Sequence, residues 1–258
     1  MFWNYTLTGI LAFTLLAGCG AAHADPSRLD IILDSGKLRV CTTGDYPPFS
    51  HQMADGTFEG IDIDLARSMS KALGVETQFV KTAWPTLMDD FSTHCDIGMG
   101  GISVTLERLK KAAFSEPHMI DGKSAIARCS DAQKFQSVAE IDQPSTRAIV
   151  NPGGTNERFA RSMLKQAQLI VYPDNVTIFQ QLVAGKADVM LTDASETLWQ
   201  AKQHPQLCAI HPELPFQYAE KAYLLPRGDV PFKAWVDTWM RLQKADGEYQ
   251  RVFDKWLK

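Results

Sequence analysis

Apolar and polar positions along the first half of the chain follow two periods, and the alternation predicts strands separated by helices. Apolar residues recur every three to four positions over 60–73, which is the period of one face of a helix, and Gly74 is a helix stop. A second, shorter helix is predicted over 84–91. Short apolar runs predict the strands of this half, at residues 37–42, 77–80 and 97–102.

The same alternation restarts near residue 147. Predicted strands cover 147–150, 169–171 and 189–191, and predicted helices run from the 151–156 loop to 164 and over 176–183. A strand at 221–225 and a mainly helical segment over 232–256 complete the chain. Alternating strands and helices predict an α/β fold with parallel sheets covered on both faces. The order favours two lobes joined by two crossings, with lobe 1 at 25–124 and 219–258 and lobe 2 at 125–218. The cleft between them is the expected ligand site.

The first 24 residues differ from the rest of the chain. They contain no Asp, Glu, Lys or Arg, and a short apolar run over 10–17 has the length of a signal-peptide core rather than a membrane span. Residues 16–19 match a lipobox that would lipidate Cys19. Residues 22–24 match a small-x-small cleavage site, which predicts a mature chain from Asp25. The sequence predicts export and leaves both processing routes open.

Composition narrows the classes of partner. The 258-residue chain carries 26 Lys and Arg against 30 Asp and Glu, a net charge of −4, and shows no basic face. Nucleic acid is therefore not an expected partner. The six histidines are scattered without a paired spacing, and no metal site is expected.

Four cysteines follow Cys19, and export permits them to form disulfides. Cys129 and Cys208 flank the middle third of the chain, so a bridge between them is predicted. Cys41 lies in a strand-like run and is expected to be a buried thiol.

One candidate anion site follows the third predicted strand, at residues 101–108. Backbone amides around Gly101 and the Ser103 hydroxyl are positioned to bind an anion at a helix start, and Arg108 can clamp a carboxylate. The alternative is an ordinary helix cap with a solvated arginine. For the isolated motif that alternative is favoured.

A similar element occupies residues 151–156 in the second half. Its glycines permit close approach of a ligand, and Asn151, Thr155 and Asn156 offer neutral hydrogen-bonding groups. A plain turn followed by a helix cap explains the same residues equally well. Tyr46 and Trp84 lie in loop or helix-start positions, where their rings can line a cleft or join a core.

The run over 188–196 ends a predicted strand with Asp193 and places Glu196 three residues later. At the carboxyl edge of an α/β sheet such residues face the ligand crevice. The same spacing forms a capping box, Asp at the N-cap and Glu at the third helical position, which needs no ligand. Taken alone, the pattern favours capping modestly.

Several motifs together resemble the periplasmic polar amino-acid-binding proteins of ABC transporters. They lie at residues 46–49, 101–108, 114–117 and in the strand that ends at Asp193. The resemblance covers nearly all of the chain after residue 24. It implies a two-lobed, type II "venus flytrap" fold with two hinge crossings, in the family 3 bacterial solute-binding proteins.

Longer segments resemble one group within that family, the periplasmic cyclohexadienyl dehydratases. They are residues 42–46, 141–144, 149–157, 173–181 and 219–226. This resemblance implies a carbon–oxygen lyase that converts prephenate to phenylpyruvate and arogenate to phenylalanine, without a cofactor. Some members form trimers, so a homo-oligomer stays open. The alternative is a solute-binding protein that delivers a polar amino acid to a transporter.

The resemblance also assigns roles to residues. Glu196 matches the general acid, and Asp193 and Arg108 match ligands for a substrate ammonium and carboxylate. Asn151 and Asn156 match pocket residues, and Tyr46 and Trp84 match the aromatic wall. Ser195, between the two acids, departs from the bulkier apolar residue of the family.

Overall fold

The computed structural model describes residues 1, 2 and 25–257. The predicted signal peptide and the lipobox Cys19 therefore lie outside the described residues. Across the described part of the chain, no helix has both the length and the apolar character that crossing a membrane requires.

The elements are numbered in chain order over the described residues. Helices α1 to α10 are Arg28–Ser35, Ile61–Leu73, Leu87–His94, Leu106–Leu109, Val138–Ile141, Thr155–Met163, Ile178–Val183, Ala194–Gln203, Val230–Ala245 and Glu248–Leu257. Strands β1 to β14 are Lys37–Thr42, Asp45–Tyr46, Ser50–Gln52, Phe58–Glu59, Glu76–Lys81, Ile97–Gly98, Ala113–Phe114, Met119–Arg128, Arg147–Val150, Gln168–Val171, Val189–Asp193, Leu207–Ile210, Gln217–Lys221 and Leu224–Leu225.

The sheet of lobe 1 has the strand order β5-β1-β6-β14-β7. β1 pairs in parallel with both β5 and β6, whereas β14 runs antiparallel to β6 and β7. Apolar faces of α2, α9 and α10 pack against this sheet, with Met69, Trp239 and Phe253 in one cluster with Val40. The C-terminal helices thus return to the lobe in which the chain begins.

The sheet of lobe 2 has the order β10-β9-β11-β8-β12, with β13 also paired to β8. β9 pairs in parallel with β10 and β11, and β8 runs antiparallel to β11, β12 and β13. The predicted α/β class and two-lobed fold are confirmed, but both sheets are mixed rather than purely parallel. The exact lobe boundaries, after residues 124 and 218, stay predictions.

β8 and β13 are the two chain crossings, and they lie side by side. Their antiparallel register runs from Lys221 opposite Met119 to Gln217 opposite Lys123. β8 also pairs with β11, with Lys123 opposite Asp193. The crossings therefore bring two lysines to the end of the strand that carries Asp193.

Several sequence predictions of element bounds were wrong. The strand predicted over 97–102 ends at Gly98, because Gly100 and Gly101 turn the backbone with φ of 140° and 70°. The predicted 221–225 strand is split between β13 and β14, and the predicted 84–91 helix begins only at Leu87. The ten-residue β8 was not predicted at all.

Two disulfides join neighbouring strands or strand ends. Cys129 is bridged to Cys208, beside the antiparallel pair β8 and β12, as the sequence suggested. Cys41 is bridged to Cys95, so the expectation of a buried Cys41 thiol was wrong. The reason is topological: Cys95 lies two residues before β6, and β6 pairs directly with the β1 strand that carries Cys41.

Candidate functional site

A small cavity lies in the closed cleft between the lobes. Its lining residues are Tyr46, Trp84, Gly101, Ser103, Asn151, Gly154, Thr155, Asn156 and Asp193. The lobes meet closely beside it, since a Cβ added at Gly153, whose φ is 77°, would stand 2.4 Å from Pro85 Cγ. The structure thus brings eight of the predicted site residues together. Two others, Arg108 and Glu196, are not among the lining residues.

Asp193, at the end of β11, is the electrostatic centre of the cavity. Its side chain is buried, and its Oδ1 and Oδ2 accept hydrogen bonds from Lys123 Nζ and Lys221 Nζ, each at 2.5 Å. The Tyr46 hydroxyl, from lobe 1, donates to Oδ2 as well. Burial alone would raise the pKa of Asp193. The charges and hydrogen bonds of the two lysines outweigh it and hold that pKa well below its ordinary range.

Lys123 is a site residue that the sequence reasoning missed. Its ammonium group donates to Asp193, to Thr155 Oγ1 at 2.8 Å and to Asn156 Oδ1 at 2.5 Å. An ammonium group has three donors, so this lysine is fully occupied. It therefore orients two residues of the 151–156 element instead of offering a free donor to the cavity.

Lys221 was missed in the same way. It donates to Asp193, to Ser103 Oγ at 3.0 Å and to the Gly101 carbonyl at 3.0 Å, and it is fully buried. It also lies 3.7 Å from Asp121 Oδ2. Its strand β13 is a chain crossing, so Lys221 connects the lobe 2 acid to the glycine loop of lobe 1. The available sequence signal was a lysine at the start of the apolar run predicted as a strand over 221–225.

These contacts decide which polar groups face the cavity as donors. Ser103 and Thr155 each accept a hydrogen bond from a lysine, which leaves their own O–H groups free to donate. Asn151 accepts from Asn156 Nδ2 at 2.9 Å, and none of the described residues accepts from Asn151 Nδ2. Three donors therefore face one small cavity. Such a set suits an anionic group such as a carboxylate.

Asn156 lines the cavity but is committed to internal contacts. Its Nδ2 donates to Asn151 Oδ1 and to Thr192 Oγ1, each at 2.9 Å, and its Oδ1 accepts from Lys123. A carboxamide has two N–H donors, so both are used. Asn156 therefore positions its neighbours, and a direct bond to a ligand requires one of these contacts to break.

Glu196, in the first turn of α8, is fully buried. Thr192 Oγ1 accepts from Asn156, so its hydroxyl proton is free to donate to Glu196 Oε2, with which it is hydrogen-bonded. Glu196 Oε1 has no hydrogen-bond partner among the described residues. If the carboxyl group is protonated, the proton therefore resides on Oε1, the oxygen free to transfer it.

Burial is the largest influence on Glu196 and raises its pKa well above the ordinary value. The Thr192 hydroxyl lowers it, the charges of Asp193 and Asp45 raise it, and the charge of Lys221 lowers it. The balance favours the protonated acid. Glu196 is thus a buried carboxylic acid with one free oxygen.

The capping box expected for these two acids is not formed. Asp193 is the N-cap residue of α8, but its side chain makes no capping hydrogen bond, because the lysines and Tyr46 occupy it. The first turn is held from outside the helix instead. Asp121 accepts from Ser195 N at 3.2 Å and from Ser195 Oγ at 2.6 Å.

Two parts of the predicted anion site in lobe 1 differ in the structure. The Gly100 and Gly101 amides donate to Asp62 Oδ2 at 2.9 and 2.6 Å, so they are not available to a ligand. Arg108 is buried and donates to the Ser103 carbonyl at 2.8 Å. Burial lowers its pKa to about 10. Its guanidinium lies 6.0 Å from the centre of the Trp84 ring.

The aromatic wall comes from lobe 1. The rings of Tyr46 and Trp84 meet edge to face, with centroids 5.4 Å apart, and Phe49 stacks on the other side of Tyr46 at 5.7 Å. Lys221 Nζ lies 5.3 Å from the centre of the Tyr46 ring. Tyr46 therefore joins the apolar core of lobe 1 to the charged centre of lobe 2.

Residues 38–258 match the family model described as bacterial extracellular solute-binding proteins, family 3. The chain is 51% identical to the cyclohexadienyl dehydratase of Pseudomonas aeruginosa. That match covers 98% of this chain and 94% of the relative.

Two crystal structures of ancestral proteins are also similar. One is the ancestral amino acid-binding protein AncCDT-1, described as a precursor of cyclohexadienyl dehydratase, with a TM-score of 0.83 and 34% identity over 90% of this chain and 100% of that one. The other is an ancestral cyclohexadienyl dehydratase, AncCDT-3, with a TM-score of 0.58 and 50% identity over 91% of this chain and 98% of that one.

Proposed function

This chain belongs to the bacterial extracellular solute-binding proteins of family 3, and we propose that within this family it is a cyclohexadienyl dehydratase of the periplasm. The proposed reactions are the conversion of prephenate to phenylpyruvate and of arogenate to phenylalanine. The observation that carries the proposal is Glu196, a fully buried acid whose Oε1 has no partner among the described residues and whose pKa is raised by burial. A protein that only binds a solute has no use for such a group.

The reaction needs a proton at one position of the ring. The C4–O bond breaks, and the departing hydroxide takes the proton of Glu196 to leave as water. The C1–carboxylate bond breaks at the same time, its electron pair enters the ring, and carbon dioxide leaves. The product ring is aromatic, and Glu196 regains its proton from solvent. No electrons are gained or lost overall, so the reaction requires no redox cofactor.

Glu196 is suited to this role because burial raises its pKa and favours the protonated form. General-acid assistance typically contributes about 10²–10⁴-fold to a rate. The rest of the rate enhancement comes from the closed cleft, because fixed protein dipoles replace water around the bound substrate there. Tyr46 and Trp84 supply a flat wall for the ring.

The hydrogen-bond donors that line the cavity bind the carboxylate groups of the substrate. Ser103, Thr155 and Asn151 offer N–H or O–H groups whose directions are set by Lys221, Lys123 and Asn156. Asp193 and Asp121 together balance the charges of the two lysines, so the preference for an anionic ligand rests on these donors. Arg108 contributes long-range positive charge from behind Trp84.

The same contacts favour prephenate over arogenate. Both oxygens of Asp193, the residue expected to bind a substrate ammonium, are already occupied by Lys123 and Lys221. An ammonium group would have to displace one of them, whereas the keto group of prephenate would not. This occupation is also unfavourable for the alternative function, the delivery of a polar amino acid to a transporter.

The test is an ultraviolet assay for aromatic product, using the protein that begins at Asp25, with prephenate and arogenate supplied separately. Turnover of prephenate at a higher kcat/KM than arogenate is expected. Calorimetry with a panel of polar amino acids runs beside it. Tight binding of an amino acid without turnover of either substrate would establish the transporter function instead.

A substitution at Glu196 tests whether this residue is the general acid. Glu196→Gln keeps the size and neutral charge of the protonated group but has no proton to transfer, and kcat is expected to fall by about 10²–10⁴-fold. Asp34→Asn, at an exposed carboxylate of the same chain, is the matched control and should keep full activity. Wild-type turnover by the folded Glu196→Gln protein would refute the assignment.

A further inference from the structure

Asp121 is a buried carboxylate that the proposed reaction does not use. It lies on β8, one of the two chain crossings. Its Oδ1 accepts from Gly122 N at 2.9 Å and from Ser195 N at 3.2 Å, and its Oδ2 accepts from Ser195 Oγ at 2.6 Å. Lys221 Nζ lies 3.7 Å from Oδ2. The carboxylate is therefore held in one orientation, with Ser195 as a partner on both oxygens.

The strand register explains how a residue of the crossing reaches α8. β11 pairs with β8 as far as Asp193, which lies opposite Lys123, and there the chain enters α8. β8 continues past this point, so Asp121, two residues before Lys123, lies beside the first turn of the helix. Because side chains alternate along a strand, Asp121 and Lys123 point to the same face. Lys123 thus binds the residue before α8, and Asp121 binds the second residue within it.

The backbone beside Asp121 is closely packed. Ala219 of β13 lies opposite Asp121 in the pairing of the two crossings. A Cβ added at the neighbouring Gly122 would stand 2.3 Å from the Gln217 carbonyl oxygen and 2.5 Å from Pro215 Cβ. The crossing strands therefore give Asp121 a fixed position, against which the first turn of α8 is held.

Glu196 depends on this turn for its own position. Its carboxyl group is hydrogen-bonded to Thr192 through Oε2, and its Oε1 has no partner among the described residues. Asp193, the N-cap residue, makes no capping hydrogen bond. An N-cap side chain ordinarily accepts from the second or third residue of a helix. Asp121 accepts from the second residue, Ser195, in its place, and a carboxylate at a helix start also suits the helix dipole.

We infer that Asp121 is a positioning residue for the general acid. Through Ser195 it holds the first turn of α8 against the crossing β8, and so fixes the direction from which Glu196 Oε1 reaches the substrate. The inference rests on the proposed function. Neither Asp121 nor Ser195 is among the residues that line the cavity, so the pair acts on the reaction through Glu196 and not through contact with the substrate.

The test removes the hydroxyl of Ser195 and leaves the helix intact. Ser195→Ala keeps the N–H bond to Asp121 but loses the 2.6 Å bond, so the first turn gains freedom. The kcat for prephenate should fall by about 10-fold, because a small displacement of the acid weakens proton transfer. KM should stay within about twofold of wild type, since the contacts that bind the substrate are unchanged. Ser195→Thr, which keeps the hydroxyl, should restore most of the lost kcat.

Thr197→Val is the matched control. Thr197 is fully buried at the start of the same helix, and its hydroxyl donates to the Ala194 carbonyl at 2.7 Å, a bond that does not involve the crossing. Its loss should lower the urea midpoint to an extent similar to that of Ser195→Ala while leaving kcat close to wild type. Equal losses of kcat in the two variants would mean that any hydrogen bond at this helix start has the same effect, and they would overturn the role of Asp121.

An infrared measurement separates this inference from the proposed function. The carboxyl band of Glu196 is identified as the difference between wild type and Glu196→Gln, and no substrate is needed. An acid held in one position gives a narrow band, whereas an acid with several positions gives a broad one. The band should broaden in Ser195→Ala and stay narrow in Ser195→Thr and Thr197→Val, whether or not prephenate is turned over. An unchanged band in Ser195→Ala, or turnover of prephenate by that variant with an undiminished kcat, would overturn the inference.

Discussion

Asp193 and Glu196 lie three residues apart, and their environments are opposite. Asp193 has both oxygens occupied by lysine ammonium groups, and its pKa lies well below the ordinary range. Glu196 is equally buried but has only a threonine hydroxyl on one oxygen, and its pKa is raised. The comparison shows that burial alone does not decide the ionisation of a carboxyl group. The partners within hydrogen-bonding distance do.

This difference in ionisation gives the two acids different roles, although they lie within one helical turn of each other. Asp193 is a fixed anion that binds the lysines of the two crossing strands, Lys123 of β8 and Lys221 of β13. Through them it fixes the Thr155 and Ser103 hydroxyls that line the cavity. Glu196 is a neutral acid that can give up a proton. Pairs of acids whose environments push their pKa values apart are typical of sites that perform acid–base chemistry.

The largest expected effect on stability comes from Asp193→Asn. The substitution leaves Lys123 buried without its counter-ion and leaves Lys221 with only Asp121, at 3.7 Å. Removing one partner of a buried pair typically costs about 3–5 kcal/mol. Urea unfolding of this variant and of Glu196→Gln, which removes no charge, measures the contrast. Adding Lys221→Met to Asp193→Asn should recover part of the loss. A cost below about 1 kcal/mol, the range of an exposed ion pair, would contradict the central role of Asp193.

Much of the fold was predictable from the sequence because it depends on local patterns. The apolar period over 60–73 marked α2, and the helix ends at the predicted Gly74, which has φ of 71°. The parallel pairs β1–β5 and β9–β10 follow from strand–helix–strand order. These features are set by residues close together in the chain.

The centre of the site was not predictable in the same way. Lys123 and Lys221 reach Asp193 only because β8 pairs with both β11 and β13, a register formed between distant segments. The capping pattern at 193–196 was equally misleading, since distant lysines compete for the Asp193 carboxylate. Cys41 was wrongly assigned as a thiol, because only the pairing of β1 with β6 brings its disulfide partner, Cys95, near it. Long-range pairing thus decides the roles of residues whose local sequence permits several.

A medium effect is expected in the pH dependence of stability. Because the folded-state pKa of Glu196 is raised, folding retains a proton that the unfolded chain loses above the ordinary carboxyl value. Stability therefore falls as pH rises from that value towards the raised pKa, by about 1.4 kcal/mol per pH unit for one such proton. Asp193 has the opposite sign, since its lowered pKa gives stability that is lost only as pH falls through the lowered pKa.

Glu196→Gln separates these two contributions. The variant has no proton to lose at this position, so its free energy of unfolding should decline less than that of wild type as pH rises. The acidic side of the two curves should keep the same shape, because Asp193 is unchanged. Urea unfolding across the pH range provides the measurement, and parallel curves on the alkaline side would show that Glu196 is not protonated in the folded protein.

The smallest expected effect comes from Thr192→Val, and it sharpens the comparison most directly. Valine has nearly the shape of threonine but cannot donate to Glu196 Oε2 or accept from Asn156 Nδ2. The loss should cost about 1–3 kcal/mol of stability, the usual penalty when a buried polar group loses its partner. The hydroxyl lowers the pKa of Glu196, so its removal should raise that pKa further and move the alkaline limb of kcat to higher pH. An alkaline limb that stays in place, or moves to lower pH, in this variant would mean that the pH profile does not follow Glu196.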